Sequence, residues 1–396
     1  MRFEYKETAG ANDAELESLT NSLSNYQKRL AEVASAKNYD FDESSINLPF
    51  DDELEKRVRE AVQAKRTNSL KYIVVIGIGG SNLGTRAIYE AIRGATTEVF
   101  PRILFADTVS STLFSNIVAL LQATKSREEF CINVISKSGT TTETIALFEA
   151  LMSRLGDVSD RIVATTDEGS RLWNTAKEKN IAALAIPAKV GGRYSVLSAV
   201  GLFPLALAGI DTEKLREGAR SSVVGNKNAI VSAALIFRHM QNKISILNEF
   251  YFAPELESMG KWYRQLVGES LGKRHDMGIT PIVSIGSTDL HSMAQLYFGG
   301  PRDKFTNLVR VESEGTTGKF LKHIMDAIYG GVRAAYLKNQ LPFTETTLPE
   351  ISEYYLGMYL QFKMLEVMYL AKLMNVNAFD QPAVEDYKEE TRKLLG

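Results

Sequence analysis

The chain has 396 residues, of which 44% are hydrophobic and 24% are charged. This composition is typical of globular rather than disordered proteins, and at ~100–200 residues per domain the length favours two or three domains. Lysine and arginine number 46 against 48 aspartates and glutamates, a formal net charge of −2. That balance argues against a general nucleic-acid binder, which needs an excess of clustered cations.

The sequence predicts a soluble, cytoplasmic protein. Its one cysteine, Cys131, excludes both an intramolecular disulfide and a zinc site built on cysteines, and a single cysteine fits a reducing compartment. No apolar run follows Met1–Lys6 closely enough to resemble a secretory signal. The longest uncharged stretch, 194–210, is shorter than the ~20 apolar residues that a membrane-spanning helix needs.

Apolar periodicity in the first half predicts helices followed by a βαβ succession. Apolar residues three or four apart predict a helix over 13–36, and a second, charged helix follows over 54–64. Short apolar runs rich in β-branched residues then alternate with helical patterns. The predicted strands cover 72–76, 103–106, 131–135 and 161–165, with predicted helices over 86–92 and 142–155.

The same succession restarts after about residue 235. Strands are predicted over 244–252, 281–285 and 308–311, and helices over 255–268, 290–298, 320–337, 351–374 and 384–395. A helical bridge over 195–220 links the two halves. We therefore expect an α/β protein with two doubly wound parallel-sheet domains packed together. The expected boundaries are an N-terminal helical segment at 1–65, α/β domains at 66–210 and 211–375, and a C-terminal helix at 376–396.

A glycine-rich segment, Gly77-Ile78-Gly79-Gly80-Ser81-Asn82-Leu83-Gly84, directly follows the first buried strand. Glycines let the backbone approach a ligand, and the helix N-terminus beyond them attracts anions. A dinucleotide-binding loop is one alternative, although Asn82 stands where G-x-G-x-x-G needs its third glycine. A tight structural turn is another, and a phosphate or sugar contact is the interpretation we favour.

A second loop, 136–144, carries six hydroxyl side chains, a lysine and a glycine between a predicted strand and helix. Such donors at the positive end of a helix dipole suit one phosphate monoester. A helix cap alone would need only one hydroxyl. Neither this loop nor Gly268-Glu269-Ser270-Leu271-Gly272-Lys273 has the spacing of a Walker A motif.

Together the two loops resemble a sugar isomerase domain, and further segments resemble the glucose-6-phosphate isomerase (phosphoglucose isomerase) family in its short bacterial and archaeal form. Val190–Leu202 is similar to one family hallmark, and Gln265–Lys273 to the segment with the catalytic glutamate. Ser287–Gln295 is similar to the histidine segment, and Phe379–Lys388 to the C-terminal hallmark. The matches keep the family order from residue 72 to 388.

The resemblance implies an aldose–ketose isomerase that interconverts D-glucose 6-phosphate and D-fructose 6-phosphate through a cis-enediol(ate), in glycolysis and gluconeogenesis. Glu269 would be the base, Arg193 would stabilise the intermediate, and His291 and Lys388 would assist ring opening. The family also implies a homodimer, with the histidine donated by the neighbouring subunit. The residues expected to contact phosphate or sugar are Gly80, Ser81, Ser136, Lys137, Ser138, Thr141, Gly192, Gln265 and Gln381.

Neither a cofactor nor a metal is expected. One carboxylate can move the proton in both directions, and the developing oxyanion needs only fixed donors or a cation. The four histidines, His239, His275, His291 and His323, form no metal-binding motif. Taken singly, Glu269 is more typical of a solvated helix end and Lys388 of a charged helix face. Their predicted roles therefore rest on their occurrence together with the two loops rich in glycine and hydroxyl side chains.

Alternatives remain open at this stage. Leu271 and Ala383 depart from the commoner Asn and Gly of the family, and Ser138-Gly139 follows its short form. These departures leave open a bifunctional glucose/mannose 6-phosphate isomerase. A non-catalytic phosphosugar sensor would use the loops alone, but it usually carries a basic nucleic-acid-binding segment that this chain lacks. An NAD-dependent dehydrogenase is opposed by Asn82.

Overall fold

Two five-stranded sheets form the framework of the chain, which the computed structural model describes over residues 1–96, 98–225, 227–313 and 318–395. The first sheet has the strand order β3-β2-β4-β5-β6, and the second has the order β1-β10-β9-β7-β8. In chain order the strands are β1 (Arg2–Glu4), β2 (Tyr72–Ile76), β3 (Arg102–Ala106), β4 (Phe130–Ile135), β5 (Ile162–Asp167), β6 (Ala182–Ile186), β7 (Ile246–Tyr251), β8 (Thr280–Ile285), β9 (Lys304–Val311) and β10 (Phe343–Leu348).

Fifteen helices in the described part of the chain connect and cover the strands. They are α1 (Asp13–Ser22), α2 (Ser24–Ala36), α3 (Asp52–Lys65), α4 (Leu83–Arg93), α5 (Ser111–Gln122), α6 (Thr142–Leu155), α7 (Arg171–Glu178), α8 (Ala199–Leu207), α9 (Thr212–Val224), α10 (Lys227–Gln241), α11 (Glu257–Leu271), α12 (Ala294–Gly299), α13 (Gly318–Lys338), α14 (Glu353–Met374) and α15 (Val384–Leu395). None of these helices is long and apolar enough to cross a membrane.

All strand pairs are parallel except the pair of β1 with β10. This confirms the predicted α/β class with two parallel sheets. Apolar side chains of both sheets share one core with the buried helix α14, and its members include Val75 on β2, Leu247 on β7 and Leu360 on α14. The two sheets therefore share one interior, and helices such as α4 and α11 make contact between them.

Several elements differ from the expectations. The predicted helix over 13–36 is two helices, since Leu23 separates α1 from α2. The N-terminal segment, expected to be helical, also contributes β1, which pairs with β10 at the edge of the second sheet. The predicted helix over 290–298 is a short turn at Thr288–Leu290 followed by α12. The sequence did not predict β6, β10, α5, α7 or α10.

The strand order of the first sheet places a ligand site. Chain order reverses on either side of β2, because β3 lies on one side and β4 on the other. In open parallel sheets ligands bind outside the carboxyl ends of the strands at this reversal. The loops after β2 and β4, the two segments singled out in the sequence, leave the sheet at that position.

Candidate active site

The loops after β2 and β4 meet closely at the carboxyl edge of the first sheet. A Cβ atom added at Gly77 would lie 2.8 Å from the Cβ of Ser81 and 3.0 Å from the carbonyl oxygen of Ile135, so only glycine fits there. In the second loop, the hydroxyl oxygens of Ser136 and Thr141 are 3.0 Å apart and share a hydrogen bond. The loop after β2 therefore packs against the end of β4, where the second loop begins.

The second loop is supported by the segment after β5. The backbone N–H of Asp167 donates to the carbonyl of Lys137 at 3.1 Å. Gly139 has a φ of +69°, and a Cβ there would lie 2.7 Å from the backbone nitrogen of Leu172. Ser138 is exposed, and its Oγ accepts a hydrogen bond from the backbone N–H of Thr140 at 3.3 Å. The loop is thus tied to the sheet while Ser138 faces solvent.

Lys137 supplies the positive charge of this loop. Its Nζ donates to the carbonyl of Ala188, in the loop after β6, at 2.6 Å. Burial raises the pKa of Asp167 to about 6, and the nearby charge of Lys137 opposes that rise.

The glycine turn after β2 packs against two other parts of the chain. A Cβ added at Gly80 would lie 2.2 Å from the carbonyl carbon of Gly192, so backbone touches backbone at this point. Gly79 has a φ of +61°, and its Cβ would lie 2.9 Å from Nε2 of Gln265 on α11. These contacts bring the 192–194 turn and helix α11 to the edge of the two loops.

Arg193 is the centre of the hydrogen-bond network, and its side chain is only 1% exposed. All five guanidinium N–H groups are used. Nε donates to Ser270 Oγ at 2.8 Å, and Nη1 donates to Glu269 Oε2 at 3.1 Å and to Gln381 Oε1 at 2.8 Å. Nη2 donates to the carbonyl oxygens of Ala378, at 2.5 Å, and Asp380, at 2.9 Å. Arg193 therefore joins α11 to the segment that follows α14.

Glu269 lies on α11 beside this arginine. Its Oε1 accepts from Nε2 of Gln265, one helical turn earlier, at 2.9 Å, while Oε2 accepts from Arg193. Two donors therefore fix the carboxylate. Because the side chain is 32% exposed, an incoming molecule can still reach it. The arrangement can hold an ionised carboxylate next to a fixed positive charge.

Neither His291 nor Lys388 forms a hydrogen bond or ion pair with Glu269 among the described residues. His291 is exposed in the turn after β8, at the carboxyl edge of the second sheet, and its ring forms no hydrogen bond or ion pair with the described residues. Lys388 lies on α15, which has no buried residue, and its Nζ forms an ion pair with Glu385 Oε1 at 2.9 Å. The resemblance implied that His291 reaches Glu269 from a neighbouring subunit, and the place of Lys388 in the site stays a prediction.

The structure adds residues that the sequence analysis did not single out. Ser270 accepts from Arg193 and shares a hydrogen bond with the hydroxyl of Tyr194 at 3.1 Å. Lys273 forms an ion pair with Asp380 at 2.9 Å. All four stand inside the quoted hallmark segments, which was the available signal. In the described ranges, no group of three or more His, Cys, Asp or Glu side chains forms a candidate metal site.

Comparison with known proteins identifies the family of this chain. Residues 52–301 match the family model described as Phosphoglucose isomerase, which covers more than half of the chain. The chain belongs to the phosphoglucose isomerase family. It is 36% identical to a glucose-6-phosphate isomerase of Symbiobacterium thermophilum over 89% of this chain and 86% of the relative. It is 32% identical to that of Alkaliphilus metalliredigens over 100% of this chain and 96% of the relative.

Solved structures share the fold of this chain. A hypothetical protein from Thermus thermophilus superimposes with a TM-score of 0.82 at 30% identity, covering 100% of this chain and 99% of that one. A glucose-6-phosphate isomerase from Chlamydia trachomatis also gives a TM-score of 0.82, at 19% identity, covering 100% of this chain and 88% of that one. The second likeness concerns the fold alone.

Proposed function

We propose that this protein is a cytoplasmic glucose-6-phosphate isomerase, which interconverts D-glucose 6-phosphate and D-fructose 6-phosphate. The observation that carries the proposal is the position of Glu269, held by Arg193 and Gln265 at the edge of a hydroxyl-lined loop pair. Membership of the phosphoglucose isomerase family supports the reaction and the substrates.

The phosphate group of the substrate is assigned to the loops after β2 and β4. Ser81, Ser136, Ser138 and Thr141 offer hydroxyl donors, and Lys137 offers an ammonium group near the start of α6. Charged donors at a helix N-terminus favour a dianion. Gly80 and Gly192, in direct contact, are assigned to the approach of the sugar to the backbone. Gln265 and Gln381, which bond Glu269 and Arg193, are assigned to the sugar hydroxyls.

Proton transfer is assigned to Glu269. In the direction from glucose 6-phosphate, the carboxylate takes the proton from C2, and the electron pair moves to give an enediolate with its charge on O1. The proton then returns from Glu269 to C1, while the hydroxyl proton passes from O2 to O1 to leave the ketose. The positive charge of Arg193, fixed by five hydrogen bonds, stabilises the negative charge without rearranging.

Ring opening is assigned to His291 and Lys388, which would move a proton between the anomeric hydroxyl and the ring oxygen. His291 is exposed on the second sheet, so we place it in the active site of a partner subunit of a homodimer. Exposed apolar side chains on α12 and α13 support a contact with a second copy. They are Leu296 on α12 and Phe320, Leu321 and Ile324 on α13.

The test is the substitution Glu269→Gln. Removing the base should slow exchange of the C2 hydrogen with solvent by about 10³-fold. Phosphosugar affinity should change by less than about threefold, because the phosphate contacts remain. Exchange is followed by NMR in D2O, and affinity by calorimetry.

The matched control is Glu257→Gln, which removes an exposed carboxylate at the other end of α11. It should keep normal exchange. Exchange that survives in Glu269→Gln would disprove the base assignment. Tight phosphosugar binding by the unaltered protein with no turnover would instead favour the sensor alternative.

A further inference from the structure

The segment between α14 and α15 is held against the candidate active site by two cations. Residues 378–381, here called the C-terminal strap, include the three acceptors of Arg193 described above. Beyond the strap, α15 contributes no buried side chain that could fix it. The position of Gln381 therefore depends on the contacts of the strap itself.

Lys273 provides the second set of contacts, independently of Arg193. It lies just past the end of α11, four residues after Glu269, and its side chain is 11% exposed. Its ammonium group donates to Asp380 Oδ1 at 2.9 Å and also to the backbone carbonyl of Asp380. Asp380 Oδ2 accepts from Asn377 Nδ2 at 3.1 Å. Both carboxylate oxygens of Asp380 are thus engaged.

The ion pair of Lys273 with Asp380 differs from an ordinary surface ion pair because Lys273 is largely buried. Exposed ion pairs contribute little, because water competes for both partners and the side chains lose freedom. Here the Asp380 side chain is 52% exposed, but the lysine is largely buried and bonds both the side chain and the backbone of Asp380. The local backbone is therefore fixed together with the charge. Asp380 is directly adjacent to Gln381, which bonds Arg193.

We propose that Lys273 and Asp380 are positioning residues that hold the C-terminal strap on the active site, so that Gln381 and Arg193 keep their places beside Glu269. The proposal rests on the isomerase function proposed above. In the part of the chain that the structure describes, neither residue forms a hydrogen bond with the hydroxyl-lined loops. Loss of the pair should therefore affect catalysis more than phosphate binding.

The experiment compares Lys273→Met, Lys273→Arg and the control Lys261→Met. Lys261 forms an exposed ion pair with Glu257 on the same helix, at 2.7 Å, and does not touch the strap. Hydrogen–deuterium exchange of residues 376–381 is measured in each protein without substrate, and kcat and KM are measured for the isomerisation.

In Lys273→Met, strap exchange should accelerate and kcat should fall about tenfold, with KM changed less than about twofold, since small misplacements reduce turnover. Lys273→Arg keeps a cation that can bond Asp380, so it should restore most of the slow exchange and most of kcat. Lys261→Met should match the unaltered protein.

Unchanged hydrogen–deuterium exchange of residues 376–381 in Lys273→Met would show that Lys273 does not hold the strap, whatever the activity. A loosened strap with normal kcat would overturn the positioning role. Absence of isomerase activity from the unaltered protein would count against the proposed isomerase function. The hydrogen–deuterium exchange data would still test whether Lys273 holds the strap.

Discussion

Lys137 is the residue on which the phosphate assignment can be tested most directly. Its Nζ donates to the carbonyl of Ala188, which fixes the ammonium group between the loops after β4 and β6. Lys137→Ala should raise KM for phosphorylated sugars by about 10–100-fold, because a hydrogen bond to a charged group is lost. Any binding of unphosphorylated sugars should stay the same, and titration with both ligand types measures the difference.

A neighbouring lysine provides the control for that substitution. Lys189 forms an exposed ion pair with Asp42 at 2.9 Å and lies one residue beyond the carbonyl that Lys137 contacts. Lys189→Ala should leave KM for phosphosugars nearly unchanged. Equal weakening for phosphorylated and unphosphorylated sugars in Lys137→Ala would remove the proposed phosphate role.

Sequence reasoning at the residue scale identified side chains but missed their partners. Glu269, Arg193, Gln265 and Gln381 were singled out, and the structure places them in one hydrogen-bonded group. Arg193 also binds the backbone carbonyls of the C-terminal strap, and backbone acceptors have no signature in the sequence. The strap contacts therefore became visible only in three dimensions.

At the scale of elements, β10 shows why a strand can be missed. Its sequence, Phe-Thr-Glu-Thr-Thr-Leu, is polar in the middle, yet all six residues are buried. The polar side chains are satisfied inside the fold, since Thr344 and Thr346 both donate to Asn307 Oδ1 and Glu345 accepts from Arg333. Apolar periodicity cannot identify a strand whose buried side chains are paired polar groups.

Helix α10 carries a buried histidine that makes stability depend on pH. His239 stacks on Phe305 with ring centroids 4.2 Å apart, and its Nε2–H donates to the carbonyl of Ala9 at 2.8 Å. Burial lowers the pKa of His239 to about 4. Between pH 6.5 and 4 the unfolded chain therefore binds a proton that the folded protein does not, and the free energy of unfolding should fall as the pH falls through this window.

The substitution His239→Gln isolates this contribution. Glutamine keeps a donor for Ala9 but cannot titrate, so the loss of stability between pH 6.5 and 4 should be smaller by up to about 3 kcal/mol. Urea unfolding at several pH values measures it. His275→Gln, at an exposed position, is the control and should follow the unaltered protein. An unchanged pH profile in His239→Gln would contradict the assignment of this pH dependence to His239.

At the scale of the whole molecule, the candidate site combines parts of both halves of the chain. The first sheet supplies the two loops and the 192–194 turn, while α11, which contacts the second sheet, supplies Glu269. The succession of strands and helices in the sequence predicted two sheets. The reversal of chain order beside β2 then indicates that the loops after β2 and β4 lie where ligands bind in open parallel sheets. The approach of α11 depends on glycine contacts such as Gly79 with Gln265, which composition and periodicity do not reveal.

His291 leads to a prediction about assembly. In the single chain it is exposed on the second sheet and makes no contact with Glu269 in the described residues. If a partner subunit supplies this histidine, His291→Ala and Glu269→Gln proteins should each be inactive alone. Mixed subunits should recover activity, because a heterodimer contains one site with both native residues.

Random pairing of the two variants in equal amounts should restore about one quarter of the native activity, since half of the dimers are mixed and each has one of its two sites intact. The subunits are dissociated and reassociated together, and kcat is then measured. Each variant treated alone in the same way is the control. No recovery in mixtures whose heterodimers are verified by mass spectrometry would exclude a site shared in this way.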